Sequence, residues 1–148
     1  MENKLTPLEQ LEVIEDNVNN LAKNLDIAFF KLFEKYGTTA TMINTTNPSF
    51  KHWIGRFGTL DSINGCVYLI DSYGKEFHTS YVKRLRLEKG VLVIQTRNSL
   101  YSFLMNNEDI TKEDVVELEV LNDGQVIYIE EYIKLVSSII SEQNKKGN

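Results

Sequence analysis

Apolar residues in the first quarter of the chain recur at alternating intervals of 3 and 4: Leu11, Ile14, Val18, Leu21, Leu25, Ala28 and Leu32. That spacing keeps one stripe on one side of an α-helix and satisfies a heptad seam for about three repeats. The ends are written locally. Thr6 can cap the first turn, Pro7 suits the first helical position, and Glu9 stands three residues after Thr6, as a capping box requires. Gly37 is a left-handed stop. The pattern predicts a helix over 6–37, roughly 45 Å long at about 1.5 Å per residue. Ile27, Phe29, Phe30 and Phe33 widen the apolar surface of its second half, which is therefore expected to lie on a core. Residues 8–21 form a narrower, acidic half expected to protrude or to pair, with Leu11, Ile14, Val18 and Leu21 as the oligomer seam.

After Gly37 the period shortens. Residues 38–43 (TTATMI) read as a short Thr-rich strand, 44–49 (NTTNPS) as a loop, and 50–57 (FKHWIGRF) as a strand bulged at Gly55 in preference to a single helical turn. The apolar run CVYLI over 66–70 ends in the turn DSYG, and 76–80 returns as its partner. Along 82–87, Leu85 and Leu87 oppose Arg84 and Arg86. Lys89-Gly90 turns the chain into 91–96, and in 99–104 Leu100, Ser102 and Leu104 oppose Tyr101 and Phe103. Such short connections favour an antiparallel meander. Residues 106–109 read as a polar loop. Over 112–121, Thr111 with Asp114 signals a helix while the alternation after Val115 signals a strand, and both stay open. Ile129, Tyr132, Ile133, Val136, Ile139 and Ile140 return to helical spacing. The predicted fold is α+β in a single domain, 1–148: the helix over 6–37, an antiparallel sheet of five to seven strands within 38–126, and a C-terminal helix over 127–143. A small SH3-like or Sm-like barrel is the narrower version of this sheet.

Composition bounds the class. With 148 residues, 42% hydrophobic and 25% charged, the chain reads as one soluble domain with a real core. No apolar run nears the ~18 residues of a membrane span, and the acidic, polar N-terminus is no signal peptide, so the expectation is a cytoplasmic protein without membrane contact. The single cysteine, Cys66, fits that expectation. Charge is segregated. Residues 1–36 carry 4 basic and 7 acidic side chains (net −3), 37–104 carry 8 and 4 (net +4), and 105–148 carry 4 and 10 (net −6), which together return the total of −5. The acidic whole opposes indiscriminate nucleic-acid binding, while the basic middle permits a local anion site.

Catalytic signatures are missing. Cys66 heads an apolar strand with no adjacent base, and reads as a buried hydrophobe. His52 and His78 stand on separate elements without ligand-spaced partners, so no metal is expected. Neither GxGxxG nor GxxxxGK[ST] occurs, and no cofactor is expected. His78-Thr79-Ser80 offers a base and hydroxyls, but neighbours in a strand point to opposite faces.

The strongest candidate is basic. Lys83, Arg84, Arg86, Lys89 and Arg97 fall within fifteen residues, with Tyr81, Tyr101 and Phe103 on neighbouring strands. On one sheet face they would form a platform, guanidinium for phosphate and rings for bases. The competing reading is a solvated face whose arginines pair with the acidic helices. Trp53 and Arg56, near Gly55 and Gly58, form a second cluster, with core packing as the alternative for Trp53.

Thr96-Arg97-Asn98-Ser99-Leu100-Tyr101 resembles a T-x-N-S-x-Y strand motif of small β-rich proteins of phages and mobile elements, some of them anti-defence proteins. The resemblance spans six of 148 residues and implies an inhibitor or sequestering protein; Asn98 and Ser99 offer amide and hydroxyl bonds at a strand junction, as good for a turn as for a ligand.

Two functions follow. The first is a non-enzymatic, homo-oligomeric binding protein that takes an anionic ligand, nucleotide or nucleic acid, on Lys83, Arg84, Arg86, Arg97, Asn98 and Tyr101. The second is a protein–protein inhibitor whose acidic helices, through Glu12, Glu15 and Asp16, cover a basic surface on a protein target.

Overall fold

A computed structural model describes residues 6–106 and 115–146, with side chains to 142 in the last helix. The first helix, α1 (Pro7–Tyr36), begins and ends where its caps require. The Thr6 hydroxyl accepts from the Glu9 N–H at 3.2 Å and donates to the Glu9 carboxylate at 3.1 Å. Gly37, at φ +78°, donates its N–H to the Phe33 carbonyl.

Among the described residues eight strands follow: β1 (Thr39–Thr45), β2 (Phe57–Ile63), β3 (Cys66–Asp71), β4 (Glu76–His78), β5 (Val82–Glu88), β6 (Val91–Thr96), β7 (Leu100–Met105) and β8 (Val115–Glu119). They form one antiparallel sheet in the order β4-β3-β2-β1-β7-β6-β5-β8. This confirms the α+β class, with one strand more than expected. The sheet stays open, its edges β4 and β8 unpaired with each other, so it is not a barrel.

It is nonetheless strongly curled. Four strand spacings separate β4 from β7, about 19 Å in a flat sheet, yet the rings of Phe77 and Tyr101 lie 5.2 Å apart. The inner face is mostly apolar: Ala40, Met42, Leu60, Val67, Leu69, Phe77, Leu85, Leu87, Leu92, Ile94, Tyr101 and Phe103 are all buried, with Thr45 and Thr96 at strand ends. Val18, Leu25, Phe29, Leu32 and Tyr36 of α1 complete the same core.

Three segments depart from expectation. Residues 50–57 are not a strand. Pro48–Trp53 form a 3-10 turn capped by Asn47, and strand β2 begins only at Phe57. The turn is held because Phe50 and Trp53 both reach Phe77, at 4.8 and 5.8 Å between ring centroids, and close one mouth of the curl. Within 112–121, Val115–Glu119 are strand β8, with Val116 and Leu118 opposite Leu87 and Leu85 of β5. Residues 112–114, the Thr111 cap and the loop residues 107–109 lie outside the described residues. The last helix, α2 (Asp123–Lys146), starts earlier than expected. Asn122 and Gln125 form a reciprocal cap, each side chain accepting from the other's backbone N–H at 2.9 Å.

Candidate binding surfaces

The basic cluster divides on folding. Arg84 and Arg86 point outward from β5, while Tyr101 and Phe103 point inward from β7 and are buried. The residues of β7 that share the arginines' face are Leu100, Ser102 and Leu104. Carboxylates meet the cations. Arg86 pairs with Glu88 at 2.9 Å and stands across from Glu117, and Arg84 stands across from Glu119. Arg97 donates to Glu130 of α2 at 3.0 Å. Lys83 pairs with Asp123 at the start of α2. Its hydrogen bond first, and its charge second, hold the Asp123 carboxyl below the ordinary carboxylate range. Arg84 and Arg86 thus lie on the face opposite Tyr101 and Phe103, and Lys83 and Arg97 pair with carboxylates of α2.

The Thr96–Tyr101 stretch is the β6–β7 junction, with residues 97–99 as its turn. Thr96 is buried, and its hydroxyl accepts from the Ser99 N–H while its own N–H donates to the Ser99 carbonyl. Tyr101 accepts from the Asn47 amide at 3.1 Å, tying β7 to the 3-10 turn, and Asn98 is exposed at the tip. These contacts give the motif a structural account.

Cys66, Thr79 and His78 each have a structural setting. Burial pushes the Cys66 thiol up to about 11, and the charge of Asp26 adds to the shift. Thr79 accepts from the Val67 N–H and donates to the Ser80 carbonyl, while His78 stacks on Tyr68 at 5.2 Å. Among the described residues no group of three His, Cys, Asp or Glu side chains could hold a metal, and no helix is long and apolar enough to cross a membrane.

The second sequence cluster resolves differently. Trp53 is buried and Arg56 is not. The Arg56 guanidinium lies over the indole at 4.7 Å and approaches the Asp71 carboxylate at 3.7 Å. It borders a groove of about 620 Å3 shared with Phe57, Asp71, Ser72, Tyr73 and Lys75. Of these groove residues only Arg56 was singled out from sequence; Tyr73, inside the DSYG turn, was the available signal.

The third surface is helical. α2 runs antiparallel to α1: Tyr128 borders a cavity with Asn17, Leu21 and Asn24, and further along α2 Tyr132 feels the Glu15 carboxylate, which adds to a desolvation that raises its hydroxyl pKa. The seam residues Ile14, Val18 and Leu21 belong to this intrachain packing, and Leu11 is half-buried. Core burial on α1 starts at Val18 and on α2 stops at Ile129. Beyond those points both helices continue, exposing Leu8, Val13, Ile133, Leu135, Ile139 and Ile140. Residues 7–17 and 130–142 carry seven carboxylates (Glu9, Glu12, Glu15, Asp16, Glu130, Glu131, Glu142) and one ammonium, Lys134. The two helix ends thus form an apolar arm with an acidic rim.

No family model, no curated protein and no solved structure matches the chain.

Proposed function

We propose that the protein is a non-enzymatic interaction module that docks its acidic, apolar helical arm onto a basic amphipathic surface of another protein. The observation that carries this reading is the exposure of Leu8, Val13, Ile133, Leu135, Ile139 and Ile140 on helix ends that extend past the core. Together these six side chains expose roughly 500 Å2 of apolar surface around the arm, against about 800 Å2 per partner in the usual stable interface. Charge selects the partner. Two copies of the arm would bring net −6 against net −6, whereas a basic partner gains from the same rim. Such a module acts by covering a surface, as an inhibitor or sequestering protein does.

The test uses the whole chain, light scattering, and a fluorescein-labelled amphipathic peptide of Leu and Lys at heptad spacing. Expected are a monomer at micromolar concentration and saturable binding that weakens with salt. Binding should weaken at least about tenfold, some 1.4 kcal/mol, in Leu135→Asp and in the triple variant Glu12→Lys, Glu15→Lys, Asp16→Lys. Arg84→Glu with Arg86→Glu should leave it unchanged. A dimer that Leu135→Asp dissolves would overturn the proposal in favour of self-pairing. Peptide affinity indifferent to every arm variant would overturn it outright.

A further inference from the structure

The groove beside Arg56 lies on the sheet, on strands and a turn separate from the helical arm, and it holds groups the fold does not need where they are. Tyr73 is 88% exposed and Phe57 51% exposed, two rings that add nothing to the core. Arg56 is fixed without being satisfied. Trp53 supports one face of its guanidinium at 4.7 Å, and its Asp71 neighbour, at 3.7 Å, stands beyond hydrogen-bonding distance. Among the described residues the guanidinium makes no hydrogen bond, so its planar fork of donors is available to an anion. Lys75 adds a second cation to the groove, against the one carboxylate of Asp71.

The far wall is rigid. Asp71 Oδ1 accepts from the N–H groups of both Tyr73 and Lys75 at 2.9 Å, the Asp71 N–H donates to the Lys75 carbonyl, and Gly74 takes φ +78° to close the turn. Tyr73 and Lys75 are therefore presented by a fixed backbone, and binding there costs little ordering of the chain. Asp71 is thus engaged twice over: one oxygen builds the turn and the other faces Arg56.

A cation pair beside two open rings is chemistry for a ligand that is anionic at one end and flat at the other. We propose that this groove is a site for a free nucleotide, with phosphate at Arg56 and Lys75 and base against Tyr73 and Phe57. The volume of about 620 Å3 lies within the ~300–1,000 Å3 of small-molecule sites. Guanidinium suits phosphate because its donors match two oxygens at once. Stacking tolerates any base, since every base presents a π-face. A long polyanion is disfavoured by the net charge of −5, because each further phosphate brought near the surface adds to the repulsion.

Trp53 is the only tryptophan of the chain and touches Arg56, so its emission reports on the groove directly. Purified full-length protein is titrated with AMP, GMP, CMP and UMP, with inorganic phosphate, and with a single-stranded oligonucleotide. Inner-filter-corrected Trp53 fluorescence and calorimetry are the readouts. The expected result is saturable binding of the mononucleotides in the high-micromolar range, as for one charge-assisted contact plus one stacked base. Affinity should drop about tenfold in Arg56→Gln and about fivefold in Tyr73→Ala, and stay unchanged in Arg86→Gln. Tyr73→Ala alters an exposed ring, so its loss of binding cannot be read as unfolding even if Arg56→Gln lowers stability. No saturable response to any mononucleotide at millimolar concentration would overturn the proposal. So would inorganic phosphate binding as tightly as the nucleotides, or an affinity indifferent to Tyr73→Ala. An oligonucleotide that binds far more tightly than any mononucleotide would overturn the free-nucleotide assignment in favour of a strand. Failure of this site leaves the arm proposal standing, because the peptide assay reads other residues.

Discussion

Phe29 and Phe30 are adjacent, chemically identical and on the same helix, yet Phe29 is fully buried and Phe30 is 71% exposed. Replacing each by alanine isolates tertiary packing from everything local. Both changes gain the same helix propensity, about 0.5 kcal/mol. Phe29→Ala also loses its contact with Phe33, whose ring lies 4.5 Å away, and empties a site in the shared core. The transfer loss is about 1.5–3 kcal/mol. A cavity of roughly 100 Å3, at about 24 cal/mol per Å3, adds up to about 2.4 kcal/mol before relaxation. The net expectation is a loss of about 3–5 kcal/mol for Phe29→Ala. Phe30→Ala should fall between neutral and about 0.5 kcal/mol more stable. Urea unfolding followed by Trp53 emission reads the difference. With a slope of about 2 kcal/mol/M, the midpoint should fall by roughly 2 M for Phe29→Ala and stay within about 0.3 M for Phe30→Ala. Equal effects, or a loss above about 1 kcal/mol for Phe30→Ala, would refute the placement of α1 on the sheet.

Gly58→Ala should cost more than about 3 kcal/mol in thermal melts, because its Cβ would lie 2.4 Å from the Ile70 carbonyl oxygen, backbone that cannot step aside. Gly74→Ala, with nothing within 4 Å, should lose only the roughly 1–2 kcal/mol of its positive φ. Cys66, with its thiol at about 11 against an ordinary 9.0, should react with a disulfide reagent at pH 8 about a hundredfold more slowly folded than in urea. Because its folded pKa is raised, its contribution to stability is present below the unfolded value and declines as pH climbs from there towards 11. The Asp123 carboxyl should titrate below its ordinary value by NMR, and Lys83→Met should return it. With the folded pKa lowered, its contribution is present above the ordinary carboxylate pKa and disappears as pH falls through the lowered one.

Much of the architecture was legible because it is local. The 3-4 spacing from Leu11 to Leu32 and the Thr6–Glu9 cap depend on neighbours within one or two turns, and the helix runs where they place it. The Lys89-Gly90 turn, with φ +54° and +76°, is equally self-contained. Asn64-Gly65, at +50° and +84°, is the same two-residue hairpin signal. It marked the β2–β3 hairpin that the sequence reading passed over. The start of α2 was written in Asn122 and Gln125, but Gly124 between them reads as a stop unless the reciprocal cap is recognised.

Sequence alone determined the limits of α1, the alternation along 82–87 and 99–104, the charge segregation and the absence of a catalytic motif. The tertiary structure decided which alternating sets share a face. A period of two fixes that Arg84 opposes Leu85, and that Tyr101 opposes Ser102, but not whether arginine and tyrosine face the same way. That parity came from the pairing of β5, β6 and β7, and it buried the rings away from the cations. The fate of residues 50–57 was likewise non-local, because Phe50 and Trp53 turn towards Phe77, a partner more than twenty residues on. The same holds for Arg56 and Tyr73, whose groove exists only because the β2–β3 pairing brings Gly58 opposite Asp71.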